Sequence, residues 1–301
     1  MWARLSSWCR PGPDPDRDRD GGRDHARRLR ALPGPDRIVL ATPPYDGLSL
    51  RVHDPGRDDY ISPSIRAGGW EGFETFCLWH LLAEGRVFYD IGANLGWYTA
   101  IASRRVGPRG RVLAFEPDPE NFLLLWRNVT ENELDNVDLF AIAVGDRDGR
   151  GLLALSPTNK GDHRVDSVAT DRHTIDIAVG SLATLLDAGA PPPDVMKIDT
   201  QGSEARILDA LPALVAARPE LALAVEFWPH GLAAAGSSVA DLIAILDAVP
   251  LRFLLVDGAG ERLVPVELAA LAGRLAGEEH ADLLAVPAAW QPPRVLEERI
   301  A

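Results

Sequence analysis

From residue 86 onward, short apolar runs alternate with stretches in which apolar residues recur every three or four positions. The runs read as strands covered on both faces, and the periodic stretches read as helices carrying one apolar stripe. This pattern predicts strands near 86–91, 111–116, 137–144, 194–199, 220–227, 251–257 and 281–286. Helices are predicted near 95–105, 119–132, 203–217 and 238–248. Strand and helix in alternation predict a Rossmann-like α/β domain, a mainly parallel seven-stranded sheet with helices on both faces.

The flanks read differently. Prolines, alternating Asp and Arg, and Gly21-Gly22 make residues 10–36 too polar to bury a core, so 1–36 is expected to be a disordered tail. Residues 37–52 suggest two strands about a Pro43-Pro44/Gly47 turn, and 72–82 a helix, so that 37–85 forms a small N-terminal addition to a main domain at 86–287. Between the third and fourth main strands lies an insertion, 149–190, with extra strands near 151–155 and 173–179. Loops over the carboxyl ends of a parallel sheet are where acceptor selection belongs. Residues 288–301 read as a short helix or a disordered tail.

The first main strand ends in Asp90-Ile91-Gly92-Ala93-Asn94-Leu95-Gly96, and Glu116 ends the second, 26 residues after Asp90. Glycines at a strand-to-helix turn let backbone approach a ligand, and an acid ending the next strand can accept from two ribose hydroxyls. A carboxylate at the turn opposes a pyrophosphate, and Asn94 stands where a dinucleotide motif would place its second glycine. The ammonium and sulfonium of S-adenosylmethionine suit an acidic loop better. The competing readings are a nicotinamide-dependent oxidoreductase and an ordinary Asx turn closing a strand.

Composition narrows the partners. The net charge is −13, and the first 37 residues hold nine Arg and six Asp, leaving 22 basic against 38 acidic residues, net −16, in the body. Such a surface disfavours a nucleic-acid substrate. Two cysteines, Cys9 and Cys77, build neither a disulfide framework nor a cysteine zinc site and suit a reducing cytosol. No apolar run reaches the roughly 18 residues of a membrane span, and the start lacks the apolar core of a signal peptide. A cytoplasmic protein is expected.

Several ordered motifs within 58–287 resemble the FkbM methyltransferase family. They are Trp70-Glu71, the stretch from Phe88 to Thr99, Ala114-Phe115-Glu116-Pro117-Asp118-Pro119, Asn128 and Ala143-Val144-Gly145-Asp146. Gly161-Asp162-His163-Arg164, the stretch from Lys197 to Glu204 and Glu226-Phe227-Trp228-Pro229 complete them. One departure is Thr200-Gln201, where many members carry Val-Glu. The resemblance implies the class I methyltransferase fold, whose last strand is antiparallel, with S-adenosylmethionine as donor and a hydroxyl of a small molecule or a sugar or glycan as acceptor. By position it implies that Asp90, Gly92, Asn94 and Gly96 line the methionine and ribose, that Glu116 holds the ribose, and that Val144 or Asp146 meets the adenine.

For the transfer itself, Asp199 ends the fourth strand on the same edge as Asp90, where a carboxylate can orient or deprotonate a hydroxyl. Lys197, two residues before it, shares its face and can pair with it. Glu204 is either part of this centre or an acid offsetting a helix dipole. His163, in the insertion, has the side chain suited to proton transfer near neutral pH, with a surface role as its alternative. Asp199, Glu204 and Glu226 offer oxygens to Mg²⁺, but sequence gives no ligand geometry and no metal is predicted. A cofactor-binding or interaction module without turnover is the alternative of a different class.

Overall fold

In the computed structural model, which describes residues 36–41, 43–165 and 171–301, the chain enters through an antiparallel pair, β1 (Arg37–Val39) and β2 (Ser49–Arg51). All of the tail expected to be disordered except Asp36 lies outside the described residues. Helices α1 (Ile61–Arg66) and α2 (Gly72–Leu81) lead to β3 (Val87–Ile91), α3 (Trp97–Val106), β4 (Arg111–Phe115), α4 (Pro119–Glu131) and β5 (Val137–Phe140). A separate small sheet follows, with β6 (Ala143–Gly145), β7 (Gly149–Ala154), β8 (Arg164–Val165) and β9 (Thr174–Ser181) in the order β6-β9-β7-β8. After α5 (Leu182–Asp187) the main sheet resumes with β10 (Val195–Ile198), α6 (Glu204–Ile207), α7 (Leu211–Ala217), β11 (Ala222–Phe227), α8 (Pro229–Ala234) and α9 (Val239–Asp247). It closes with β12 (Leu251–Asp257), β13 (Arg262–Pro265), α10 (Leu268–Ala272) and β14 (Ala281–Pro287), and α11 (Arg294–Glu297) lies in the C-terminal segment.

The main sheet runs β13-β12-β14-β11-β10-β3-β4-β5. Pairings from β5 through β3 and β10 to β11 are parallel, and β14 is antiparallel to both β11 and β12. This is the topology the resemblance implies, with β13 added as a hairpin partner at the β12 edge. The chain winds outward from β3 to β5 and then returns to β10 on the other flank of β3. Strand order therefore reverses between β3 and β10, and a crevice opens at their carboxyl ends.

Alternation along the strands sorts side chains onto two faces. Tyr89, Ile91, Met196, Ile198, Val225 and Phe227 join one core with α5 to α7 and α9. Phe88, Val112, Val195, Ala224 and Leu284 join the other with α2 and α3. By the same alternation Asp90, Lys197, Glu226 and Asp282 project onto the α2/α3 face near the strand ends, with Asp90 opposite Lys197 and Glu226 opposite Asp282 in register. Polar positions in otherwise apolar strands thus fall in one patch.

Two predicted elements are divided. The strand expected over 137–144 stops at Phe140, whose ring stacks on Phe115 at 4.8 Å, and beyond exposed Ala141 the chain leaves the main sheet so that β6 pairs with β9. The helix expected over 203–217 becomes α6, a 3₁₀ turn at Leu208–Ala210 and α7. Pro212 accounts for the break, since it lacks an amide hydrogen and crowds the carbonyl four residues back.

The N-terminal addition is held by two asparagines one turn apart on α4. Asn132 Oδ1 accepts from Ser49 N at 2.8 Å and its Nδ2 donates to Ser49 O at 2.6 Å. Asn128 Oδ1 accepts from Arg51 N at 2.6 Å, and its Nδ2 donates to Arg51 O at 3.0 Å and Leu95 O at 2.6 Å. Together the amides stand in for a neighbouring strand along one edge of β2 and also pin the loop at Leu95. Asn128→Ala strands these backbone groups and is expected to lower stability by about 2–3 kcal/mol. Urea unfolding should show a lower midpoint at an unchanged slope.

Candidate functional site

The turn after β3 is shaped by close approach. Gly92 adopts φ +86°, and a Cβ there would sit 2.0 Å from the Asp199 carbonyl oxygen, so only glycine allows the ends of β3 and β10 to come together. Gly96, at φ +92°, precedes α3, and a Cβ there would lie 2.7 Å from Leu125 Cδ1 on α4. Asn94 bridges the cleft: its backbone N–H donates to Glu116 Oε2 at 2.8 Å and its side-chain Nδ2 to the Lys160 carbonyl at 2.8 Å. Asn121 Nδ2 donates to the same carbonyl at 2.9 Å, which docks the insertion over the turn.

Glu116, buried, accepts one backbone N–H on each oxygen, from Asn94 and from Asp118 at 2.8 Å. A carboxylate offers about four lone-pair sites, so beside these two donors and the nearby Asn121 amide it can still accept from a ligand hydroxyl. Burial pushes its carboxyl up to about 8 against the two backbone donors. Beside it the cleft wall is apolar, with Phe115, Ile142, Val144, Leu153 and Val165. The one cationic side chain lining it among the described residues, Lys160, has its ammonium 3.0 Å from Glu120. These residues fit S-adenosylmethionine: a ribose acceptor, an apolar slot for a base, a glycine turn only backbone can fill, and no free cation for a pyrophosphate.

The other end of the cleft holds Asp199, Thr200 and Gln201. Lys197 Nζ lies 3.0 Å from Asp199 Oδ2, the pairing their spacing predicts, and also 3.7 Å from Glu74 Oε1 and 4.6 Å from the Tyr98 ring centre. Burial opposes the Lys197 charge, but Asp199, Glu74, Glu71 and Asp282 outweigh it and raise its pKa well above the usual value. Burial likewise opposes the Asp199 charge, yet Lys197 and the Gln201 amide hold its pKa below the usual carboxylate value. Gln201 Nε2 donates to Asp199 Oδ1 at 2.8 Å and approaches Glu226 at 3.2 Å, so an amide separates two acids where the family's Glu would add a third. Burial, with Asp199, Glu204 and Asp282 nearby, raises the Glu226 pKa well above normal.

The remaining candidates are placed as follows. Asp90 is buried behind the turn, not on the cleft wall, with the Thr99 hydroxyl donating to Oδ2, and burial lifts its carboxyl to about 6. Glu204 is fully buried and its Oε1 accepts from Thr200 N, Thr200 Oγ1 and Gly202 N at 3.0, 2.9 and 3.2 Å, which shapes the turn carrying Gln201. Asp146, paired with Arg147, lines an adjoining pocket that shares Val144, Val165 and Ser203 with the cleft, and Val144 lines the cleft itself. His163 lines the same cleft as Glu116 and Leu153, Ser156 N donates to its Nδ1 at 3.0 Å, and its buried Nε2 lies 3.9 Å from Asp118. Sequence reasoning did not pick out Asn121, Glu74 or Tyr98, whose polarity within helices was the available signal.

A model of the Methyltransferase FkbM domain matches residues 90–248. Methyltransferase 1 of Beauveria bassiana is 24% identical over 144 residues, 40% of this chain and 57% of that protein, so the chain spans little more than half the length of this curated relative. Among solved structures, Methyltransferase FkbM from Methylobacillus flagellatus KT is 19% identical at TM-score 0.42, over 67% of this chain and 43% of that one. A SAM-dependent O-methyltransferase from Thermotoga maritima is 14% identical at TM-score 0.36, over 89% and 83% of the two chains.

The acid cluster behind Asp199 leaves a mark on stability. Tyr98 Oη donates to Glu71 Oε2 at 2.7 Å and lies 3.1 Å from Glu74 Oε2. Burial and then the Glu74 charge push Glu71 up to about 8, and burial pushes Glu74 and Asp282 up to about 7. Carboxyls with raised folded pKa values favour the folded state below their unfolded values, and that advantage is lost as pH rises through the folded ones. Thermal midpoints should therefore fall between about pH 4.5 and 8. Glu71→Gln is expected to flatten this fall and raise the midpoint by a few degrees at pH 8, measured by circular dichroism.

Proposed function

The chain belongs to the FkbM methyltransferase family, and from that premise we propose that it transfers a methyl group from S-adenosylmethionine to a hydroxyl of a small molecule or sugar. The observation that carries this reading is the crevice at the strand reversal, where Glu116 and Asp199 face one cleft across the Gly92 turn. S-adenosylmethionine, when bound, supplies an electrophilic methyl on a sulfonium. Glu116 holds the ribose hydroxyls, Ile142 and Val144 cover the base, and backbone at Gly92 and Asn94 meets the methionine part. Asp90, Gly96 and Glu204 act from behind as positioning residues, and Asp146, in the adjoining pocket past Val144, stands at the base end.

At the reaction end Asp199 receives the acceptor hydroxyl. Lys197 keeps it ionised and Gln201 fixes its second oxygen, so the carboxylate is aimed before the acceptor arrives. Its lowered pKa makes it a weak base, so orientation and a shared proton are its contribution, and alignment of reacting atoms supplies much of the rate. Glu226, buried beside Gln201, receives the other side of that amide and so helps to keep it on Asp199. The acidic body suits neutral acceptors over nucleic acid.

Incubation of the protein with methyl-labelled S-adenosylmethionine and extracts of glycans and small molecules tests the reading. Transfer of alkali-stable label is expected, and Asp199→Asn should reduce it by about 100-fold or more while S-adenosylhomocysteine still binds. Undiminished transfer by Asp199→Asn contradicts the role of that carboxylate. Cofactor binding with no transfer to any fraction favours a module without turnover.

A further inference from the structure

A second concave site opens at the carboxyl edge of the sheet, between the start of α2, the start of α3 and the β12–β13 hairpin, and it shares no lining residue with the cleft. Its volume is about 330 Å³, within the range of small-molecule sites. Five aromatic side chains line it: Tyr45, Trp70, Phe73, Phe76 and Trp97. Trp97 is fixed, its Nε1–H donating to Thr75 Oγ1 at 2.9 Å, and Phe73 stacks on Phe76 with ring centres 5.9 Å apart. Trp70 differs. It is half-buried, and among the described residues no ring stacks on its indole and its Nε1–H has no hydrogen-bond partner. An indole with an idle face and an idle donor, set in a concave wall, is a platform for a ligand.

Gly72 keeps the floor of this groove clear. It is exposed, its backbone is not left-handed, and a Cβ there would meet nothing within 4 Å. Neither contact nor dihedral therefore demands glycine at the first turn of α2, where it weakens the helix relative to alanine. At the lip, Arg299 Nη1 lies 3.2 Å from Glu261 Oε2, and the guanidinium sits 5.7 Å from the Phe76 ring centre. Donor and acceptor stand side by side there with their charges balanced. An anion meets Glu261 and a cation meets Arg299, whereas a neutral vicinal diol gives to one and takes from the other. Aromatic faces carry partial negative charge and suit the C–H-bearing face of a saturated ring. We propose that this groove is a saccharide-binding site for a neutral pyranose ring, with Trp70 as its platform and Glu261 and Arg299 as its polar lip. Trp70 and Gly72 flank Glu71, whose carboxylate accepts from Tyr98 Oη at the edge of the Asp199 cluster, so a glycan held in the groove lies beside the reaction end. That last link alone rests on the methyl-transfer reading.

Saturation-transfer NMR and tryptophan-fluorescence titration of the full chain with the methyl pyranosides of glucose, galactose and mannose and with maltose, cellobiose and lactose test it. Glucuronate, glucosamine and octanoate serve as charged and apolar comparisons. At least one neutral saccharide is expected to bind saturably in the millimolar range, and the three comparisons more weakly. Trp70→Ala, which removes the platform, and Gly72→Leu, which fills the floor, should each weaken that binding about tenfold or more, while Trp70→Phe keeps most of it. Gly72→Leu should not lower the thermal midpoint. Absence of saturable binding by every neutral saccharide, preference for octanoate, or full affinity in both Trp70→Ala and Gly72→Leu overturns the proposal. The wild-type series decides it even if a variant fails to fold. These readouts need no cofactor, so a failure to bind S-adenosylhomocysteine removes the methyl-donor reading and leaves the groove standing.

Discussion

The ammonium of Lys197 is the charge around which the acid cluster at Asp199 is assembled. It projects from β10 into a patch that also receives Asp90, Glu226 and Asp282 from neighbouring strands and Glu71 and Glu74 from the segment of α2. Buried carboxylates without a counter-ion are too costly to ionise together. One cation within 3.0 Å of Asp199 therefore sorts the set: Asp199 stays charged, and the others hold protons at higher pH than free carboxyls do. The sorting leaves an aimed carboxylate facing the cleft with proton-bearing acids behind it. Lys197 itself, its pKa raised well above the ordinary value, acts by its charge and not as a base.

The second dependence is steric and joins the two halves of the site. Strand order reverses between β3 and β10, so the turn after β3 and the loop after β10 leave the sheet side by side. Gly92 lets them touch, since any side chain there would strike the Asp199 carbonyl. A displacement of the Gly92 turn is thereby transmitted to Asp199 within one contact. The insertion adds a third wall by docking the Lys160 carbonyl on Asn94 and Asn121, which brings His163 to the cleft.

Much of this was legible in the sequence, for physical reasons. Buried strands and amphipathic helices have different periods, so β3, β4, β10, β11, β12 and β14 and the main helices could be located to within a residue or two. The break at Phe140 and the segmentation at Pro212 were harder, because a strand that changes sheets keeps its apolar pattern and one proline inside a helical period is easily absorbed. In the site, Glu116, Asp199 and Lys197 follow from strand-end position and from spacing by two. Asp90 did not: its acidity suggested contact with a cation in the cleft, whereas alternation turns it to the α3 face, where Thr99 takes it. The placement of His163 against the cleft and the strand-like pairing of Asn128 and Asn132 depend on contacts between residues more than seventy positions apart or on a loop's course, which local pattern does not encode.

We propose that this cleft takes an adenosyl cofactor without phosphates, held by Glu116. Titration calorimetry of the folded protein with S-adenosylhomocysteine and, separately, with NADH tests it most directly. The account predicts binding of S-adenosylhomocysteine, its loss in Glu116→Ala that remains folded, and no binding of NADH. Preferential binding of NADH, or full affinity for S-adenosylhomocysteine in Glu116→Ala, contradicts it.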